Sequence, residues 1–158
     1  MEGFMKKVIA ALIVFVLILS MLPIQIAYAS QEPELLEIIR YEDGSYLEIT
    51  LESAPQTRAS GSLTKTKNYT YKDVDGTAQW KISLTGSFTY TGTKSTCTAA
   101  SCNVTIYQND WSVASKSASK SGNTAYGTAR ILRKYLGATV SDKTYNLTLT
   151  CDKNGNVS

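Results

Sequence analysis

From Tyr46 to Cys151 the chain keeps returning to one pattern, in which short runs of alternating apolar and polar residues are closed by glycine-bearing turns. The run Tyr46-Leu47-Glu48-Ile49-Thr50-Leu51 places Leu47, Ile49 and Leu51 on one face and polar groups on the other, the signature of a half-buried strand. Ala78 to Tyr90 repeats it with Trp80, Ile82 and Leu84, and Gly86 reads as a bulge before Phe88 and Tyr90. Lys67 to Tyr71 is a shorter candidate. Cys102 to Tyr107, Trp111 to Ala118, Thr124 to Leu136 and Lys143 to Cys151 follow, the last with Tyr145, Leu147 and Leu149 inward. Asp73-Val74-Asp75-Gly76, Tyr90-Thr91-Gly92-Thr93, Ser121-Gly122-Asn123 and Leu136-Gly137-Ala138 supply the turns. No helical period separates these runs, which excludes a parallel sheet built on crossover helices. The expected fold is all-β: a single antiparallel β-sandwich, Ig-like or similar, of about 7–8 strands, with a small β-barrel as the alternative. Trp80 and Trp111 are expected in its core. Glu34 to Arg40 alone reads as helical.

Ahead of this body lies a leader. Lys6-Lys7, an apolar run from Val8 to Leu22, a break at Pro23 and the small-x-small site Ala27-Tyr28-Ala29 have the order of a secretory signal peptide over residues 1–29, helical and cut between Ala29 and Ser30. An uncleaved membrane anchor is the rival reading, and Pro23 and the small residues count against it. Lipid attachment would need a cysteine at the cut, and the first cysteine is Cys97. The expected location is therefore secreted and extracellular, with membrane contact only through the signal peptide during export.

Loss of Lys6, Lys7 and Glu2 leaves 14 basic and 12 acidic residues in 129, enough chain for one domain with its own core. Their distribution is uneven. Residues 30–53 carry seven acids against Arg40, net −6, whereas residues 54–158 carry 13 basic residues against five acids, net +8. Residues 30–60 thus form an acidic N-terminal segment ahead of a β-rich domain over 61–158. In one reading the segment, with a strand near 46–51, lies across a basic body. In the other it is a propeptide cut between Arg58 and Ala59, which would unmask the basic body for anionic targets.

Three cysteines remain, Cys97, Cys102 and Cys151, so an exported chain should form one disulfide and leave one thiol over. On one continuous strand Cys97 and Cys102 would point to opposite faces and lie roughly 17 Å apart, beyond the disulfide reach of about 7 Å. Pairing Cys97 with Cys151 is favoured, with Cys102 a buried free thiol.

The chain has no histidine, which removes Ser-His-Asp and Cys-His catalysis, histidine-ligated metals and the usual proton shuttle near neutral pH. No catalytic, cofactor-binding or metal-ligating residue is expected, and no cofactor. A carboxylate pair is the one hydrolytic device still open, and five acids in the body make a poor stock for it. Tyr69 and Tyr71, or Tyr90, Tyr107 and Tyr126, could form an exposed platform for sugar rings. Arg130, Arg133, Lys134, Lys116 and Lys120 could form an anion-binding face, although the mild net charge does not point to nucleic acid. The expected partner is an extracellular protein or a cell-surface polymer, bound by a non-catalytic interaction or structural module. The alternative is an antibacterial or signalling effector activated by removal of the acidic segment after Arg58.

The stretches Thr96-Cys97-Thr98-Ala99-Ala100-Ser101, Asp110-Trp111, Ser115 to Asn123 (SKSASKSGN) and Leu147 to Asn156 (LTLTCDKNGN) together resemble a group of short secreted proteins of Gram-positive bacteria. The resemblance covers roughly residues 61–158. It implies a common secreted β-rich fold, is compatible with a Cys97 to Cys151 bridge, and carries no activity with it.

Overall fold

A computed structural model describes residues 32–54 and 61–158. The signal peptide with its Ala29/Ser30 cut and the candidate processing site at Arg58/Ala59 lie outside the described residues. Within them every regular element is a strand: β1 (Glu34–Arg40), β2 (Tyr46–Ser53), β3 (Ser62–Lys72), β4 (Ala78–Tyr90), β5 (Ser95–Ile106), β6 (Trp111–Ser121), β7 (Thr124–Tyr135) and β8 (Ala138–Thr150). They make two antiparallel sheets, β1-β2-β3-β4-β5 and β6-β7-β8, and the chain passes from one to the other once, between β5 and β6. The fold is a β-sandwich of two meanders.

Turn chemistry explains much of this order. Tyr41 to Ser45, Asp73 to Thr77 and Asp152 to Asn156 close with the same two backbone bonds: first N–H to fifth carbonyl, and glycine N–H to first carbonyl. The glycine of each, Gly44, Gly76 or Gly155, sits at φ 83, 82 or 92, where a side chain would be strained. In the last two, the leading aspartate also accepts two backbone N–H groups further along the turn.

The core forms where large residues of β4 meet small ones of β7. Trp80, Ile82, Leu84 and Phe88 are buried against Ala125, Ala129 and Ile131, and Leu147 and Leu149 of β8 close the layer. A Cβ on Gly127 would stand 3.0 Å from Leu84 Cδ1, so the sheets approach this closely only because β7 is stripped of bulk there. Leu47, Ile49 and Leu51 of β2 join the same cluster, each burial worth about 1.5–3 kcal/mol. The outer face of the larger sheet is polar, with hydroxyl pairs Thr64–Ser87 and Thr66–Thr85 bridging β3 and β4.

Three expectations are corrected. Glu34 to Arg40 is strand β1, not helix: its Leu-Leu-x-Ile-Ile spacing suits either period, but seven residues make a marginal helix, and the Tyr41–Ser45 hairpin lays them against β2. Leu36 is an extra residue there, because the register slips between Leu35 and Glu37. Gly86 is not a bulge, since it pairs in register with both Lys65 and Ala100. Its role is spatial: a Cβ there would lie 2.7 Å from the Phe88 ring. The bulge falls on β5 instead, where Ser87 faces Ala99, Phe88 faces Cys97 and Thr98 is the extra residue. That slip changes the parity of the strand, so Cys97 and Cys102 stand on the same, inward side rather than on opposite faces.

Candidate functional site

Four aromatic rings from four places in the chain converge at one end of the sandwich. Tyr41 comes from the β1–β2 turn, Tyr71 from the end of β3, Trp111 from the start of β6 and Tyr145 from β8. Between them is a cleft of about 190 Å³, walled in addition by Asp43, Ser45, Arg133, Ser141 and Lys143. Trp80, fully buried, packs against the lining rings, stacked on Tyr71 with centroids 5.4 Å apart and with its centroid 4.8 Å from that of Tyr145. Trp111 meets Tyr71 edge-on at 5.4 Å and Trp80 at 6.2 Å. Trp80 fills the core, whereas Trp111 is only half-buried and lies on the cleft wall.

Hydrogen bonds fix these rings. Trp111 Nε1 donates to Gln79 Oε1 at 3.2 Å, and Tyr71 Oη donates to Ser45 Oγ at 2.9 Å. Ser45 Oγ and N both donate to Asp43 Oδ1, and these two bonds hold the Asp43 carboxyl below the usual carboxylate range, with Lys143 helping. The rim is cationic: the Arg133 guanidinium lies 5.4 Å from the Trp111 ring centroid and Lys143 Nζ lies 5.3 Å from that of Tyr41. Arg133 is steered by Asp110, which accepts from its Nε at 2.8 Å. Burial raises the Tyr41 and Tyr145 hydroxyls, Tyr145 strongly, so both stay neutral donors at physiological pH. The cleft therefore offers ring faces, neutral hydroxyls, one carboxylate and two cations. Its one carboxylate, Asp43, is engaged by the Ser45 hydroxyl.

The tyrosines singled out in the sequence do not share a surface. Tyr71 lines the cleft and Tyr69 packs on the inner face, while Tyr107 and Tyr126 are exposed at 47% and 41% in separate places. Tyr90 lies at the other end, its ring within 2.7 Å of where a Gly155 Cβ would be. The basic residues are likewise dispersed. Arg130 pairs with Asp142, Arg133 with Asp110, Lys116 Nζ donates to Asn103, and Lys120 Nζ donates to the Cys97 carbonyl. Tyr41, missed in the sequence, sits in a turn whose Glu-Asp-Gly-Ser signal was available. A larger and more open groove of about 450 Å³ crosses the outer face of the five-stranded sheet past Glu48, Asn68 and Lys81. It has little aromatic surface, and its Glu48 is already paired with Lys72.

At the far end of the sandwich stand Cys97 and Cys151, with Cys102 further along β5 opposite Leu84. All three are thiols in this structure, so the expected Cys97–Cys151 bridge is not formed. Cys97 and Cys151 are buried on either side of the β6–β7 turn, their N–H groups donating to the adjacent carbonyls of Gly122 and Asn123. Burial raises both thiols above their ordinary pKa, and Asp152 and Cys97 add to the rise at Cys151. Cys102 is half-buried with its thiol raised by the same cause. No cluster of metal-ligating side chains occurs among the described residues. Compared with protein-family models, with curated proteins and with solved structures, the chain matches none.

Proposed function

We propose that this is an exported, non-catalytic binding module whose aromatic cleft takes one polar, ring-bearing unit of an extracellular polymer or protein. The observation that carries the reading is the convergence of Tyr41, Tyr71, Trp111 and Tyr145 with Asp43, Arg133 and Lys143 on one small cleft. Ring faces of this kind stack on the apolar face of a sugar while flanking donors and acceptors fix its orientation. A cleft of about 190 Å³ suits a single ring rather than an extended chain, and the two cations favour a unit carrying a carboxylate or sulfate. Export, supported by the leader at residues 1–29, sets the chemistry of the cysteines. In an oxidising medium Cys97 and Cys151 join, and Cys102 remains a thiol.

The test is a glycan-array screen of the full chain, followed by calorimetric titration of the best uronic-acid or sulfated-sugar hit. Trp111→Ala should abolish binding and Tyr145→Phe should weaken it, with both variants still folded. Binding unchanged in Trp111→Ala would remove the cleft from the function.

A further inference from the structure

The β7–β8 hairpin reaches past the sandwich that it helps to build. Its pairing runs from Thr124–Thr150 to Tyr135–Ala138. The inward residues near its base are buried, yet from Arg133 to Val140 every residue is exposed. The overhanging end carries apolar side chains: Tyr135 is 67% exposed, Leu136 90% and Val140 56%.

Nothing in the fold requires them. Leu136 occupies the left-handed region at φ 50 and is followed by Gly137 at φ 83, a two-residue turn that Asn-Gly fits without strain. A leucine there strains the backbone and gains no burial in return. Val140 is the extra residue of a bulge, since Arg133 faces Ser141 while Lys134 faces Thr139, and such bulges near a strand end re-aim side chains.

One cation, Lys134, adjoins this tip, paired in register with Thr139. Further down the hairpin Arg130 is paired with Asp142, Arg133 with Asp110, and Lys143 lies over the Tyr41 ring in the cleft. Lys134, next to Tyr135, and Lys143 take part in no ion pair among the described residues. A protein-binding patch would be broad and poor in lysine. A narrow apolar point with an aromatic residue and an unpaired lysine beside it is suited to the boundary between lipid headgroups and acyl chains, where tyrosine and leucine enter and a cation holds phosphate.

We infer that the β7–β8 hairpin tip docks on an anionic lipid surface, with Tyr135, Leu136 and Val140 inserted and Lys134 at headgroup level. This does not rest on the cleft, whose ligand is a separate question. One tip with one lysine gives weak, reversible attachment, and it would hold the cleft next to the membrane.

The test uses the full chain carrying Leu136→Trp, because emission from a tryptophan at the tip reports insertion there whatever else touches the vesicle. Subtracting the unsubstituted protein removes the signals of Trp80 and Trp111. Vesicles rich in phosphatidylglycerol should give a blue shift of the added tryptophan and its quenching by lipids brominated near the headgroup. Pure phosphatidylcholine should give neither, high salt should reverse both, and Lys134→Gln should weaken the response several-fold. Tyr135→Trp repeats the measurement should the first variant fold poorly. An unshifted tip on anionic vesicles overturns the inference, as does an equal shift on phosphatidylcholine. So does a tip that stays wet on every vesicle but becomes protected when a protein partner is added.

Discussion

The two ends of the sandwich are built from the same strands and behave as different materials. At the cysteine end Phe88, Cys97, Leu149 and Cys151 are almost wholly buried, and their strands are clasped to the Gly122–Asn123 turn by backbone hydrogen bonds. At the aromatic end the rings of Tyr71, Trp111 and Tyr145 are only half-buried, with charges at the rim and a cleft between the sheets. The difference is one of side-chain volume. Small residues let the sheets close over Leu84 and Phe88, while five aromatic rings in stacked, tilted and edge-on contacts leave a gap that none of them fills. One end stores stability and the other leaves an open cleft.

The contrast can be tested most sharply on the two tryptophans. Trp80 is fully buried against the lining rings of the cleft, so Trp80→Ala should cost about 3–5 kcal/mol, read from the midpoint of urea unfolding. Its indole N–H has no hydrogen-bond partner among the described residues, so Trp80→Phe, which removes that orphan donor and keeps a ring, should cost much less. Trp111→Ala should cost less than Trp80→Ala while removing ligand binding. Equal losses for the two alanine variants would mean that the aromatic end is core in the same sense as the other.

Next in size is the effect of oxidation. A Cys97–Cys151 bridge would close a long loop, a constraint worth about 4 kcal/mol in the chain-entropy picture. Protein recovered from an oxidising medium should release one reactive thiol on denaturation, and reduction should lower its unfolding midpoint without altering the cleft. Three reactive thiols in the recovered protein would defeat the bridge and leave the cysteine end stabilised by packing alone.

The sandwich was legible in the sequence because inward positions alternate strictly within β2, β4 and the end of β8. Parity was misleading where a bulge intervened: the extra residue Thr98 turned Cys97 and Cys102 to one side, and no residue at that point announces it. Strand β1 was obscured for a different reason. Its doubled Leu-Leu and Ile-Ile fit a helical face, and only the adjacent hairpin decides between the two. The cleft was half legible. Each aromatic residue is visible in the sequence, but its assembly depends on which strand ends are stacked across the two sheets, and that is set by long-range packing. The same structure gives the acidic segment a cost of removal, because β2 carries Leu47, Ile49 and Leu51 into the core and the β1–β2 turn sets Tyr41, Asp43 and Ser45 on the cleft wall.

A smaller change distinguishes stability from use at the aromatic end. Leu136→Asn relieves a left-handed leucine and should stabilise the fold by about 1 kcal/mol, seen as a higher melting temperature. The same substitution should diminish vesicle docking, so a gain in stability accompanied by undiminished docking would separate the strained turn from the lipid surface.

The smallest effect appears only in alkali. Burial, and then the neighbouring Tyr41, raises the Tyr145 hydroxyl above its ordinary value, so above about pH 10 the unfolded chain loses this proton while the folded protein keeps it. For a group whose folded pKa is raised, the stabilising contribution is complete below the unfolded value and disappears as pH climbs toward the folded one. Tyr41 and Tyr69 are raised by burial as well and act in the same direction, whereas Lys67, lowered by burial, acts against them. Unfolding midpoints should therefore hold steady to about pH 9 and fall beyond about pH 10. Tyr145→Phe should match the parent protein at neutral pH and lose less stability between neutral and alkaline conditions. An alkaline decline of the same steepness in Tyr145→Phe would show that the hydroxyl is wet, and the aromatic end more open than the cleft geometry implies.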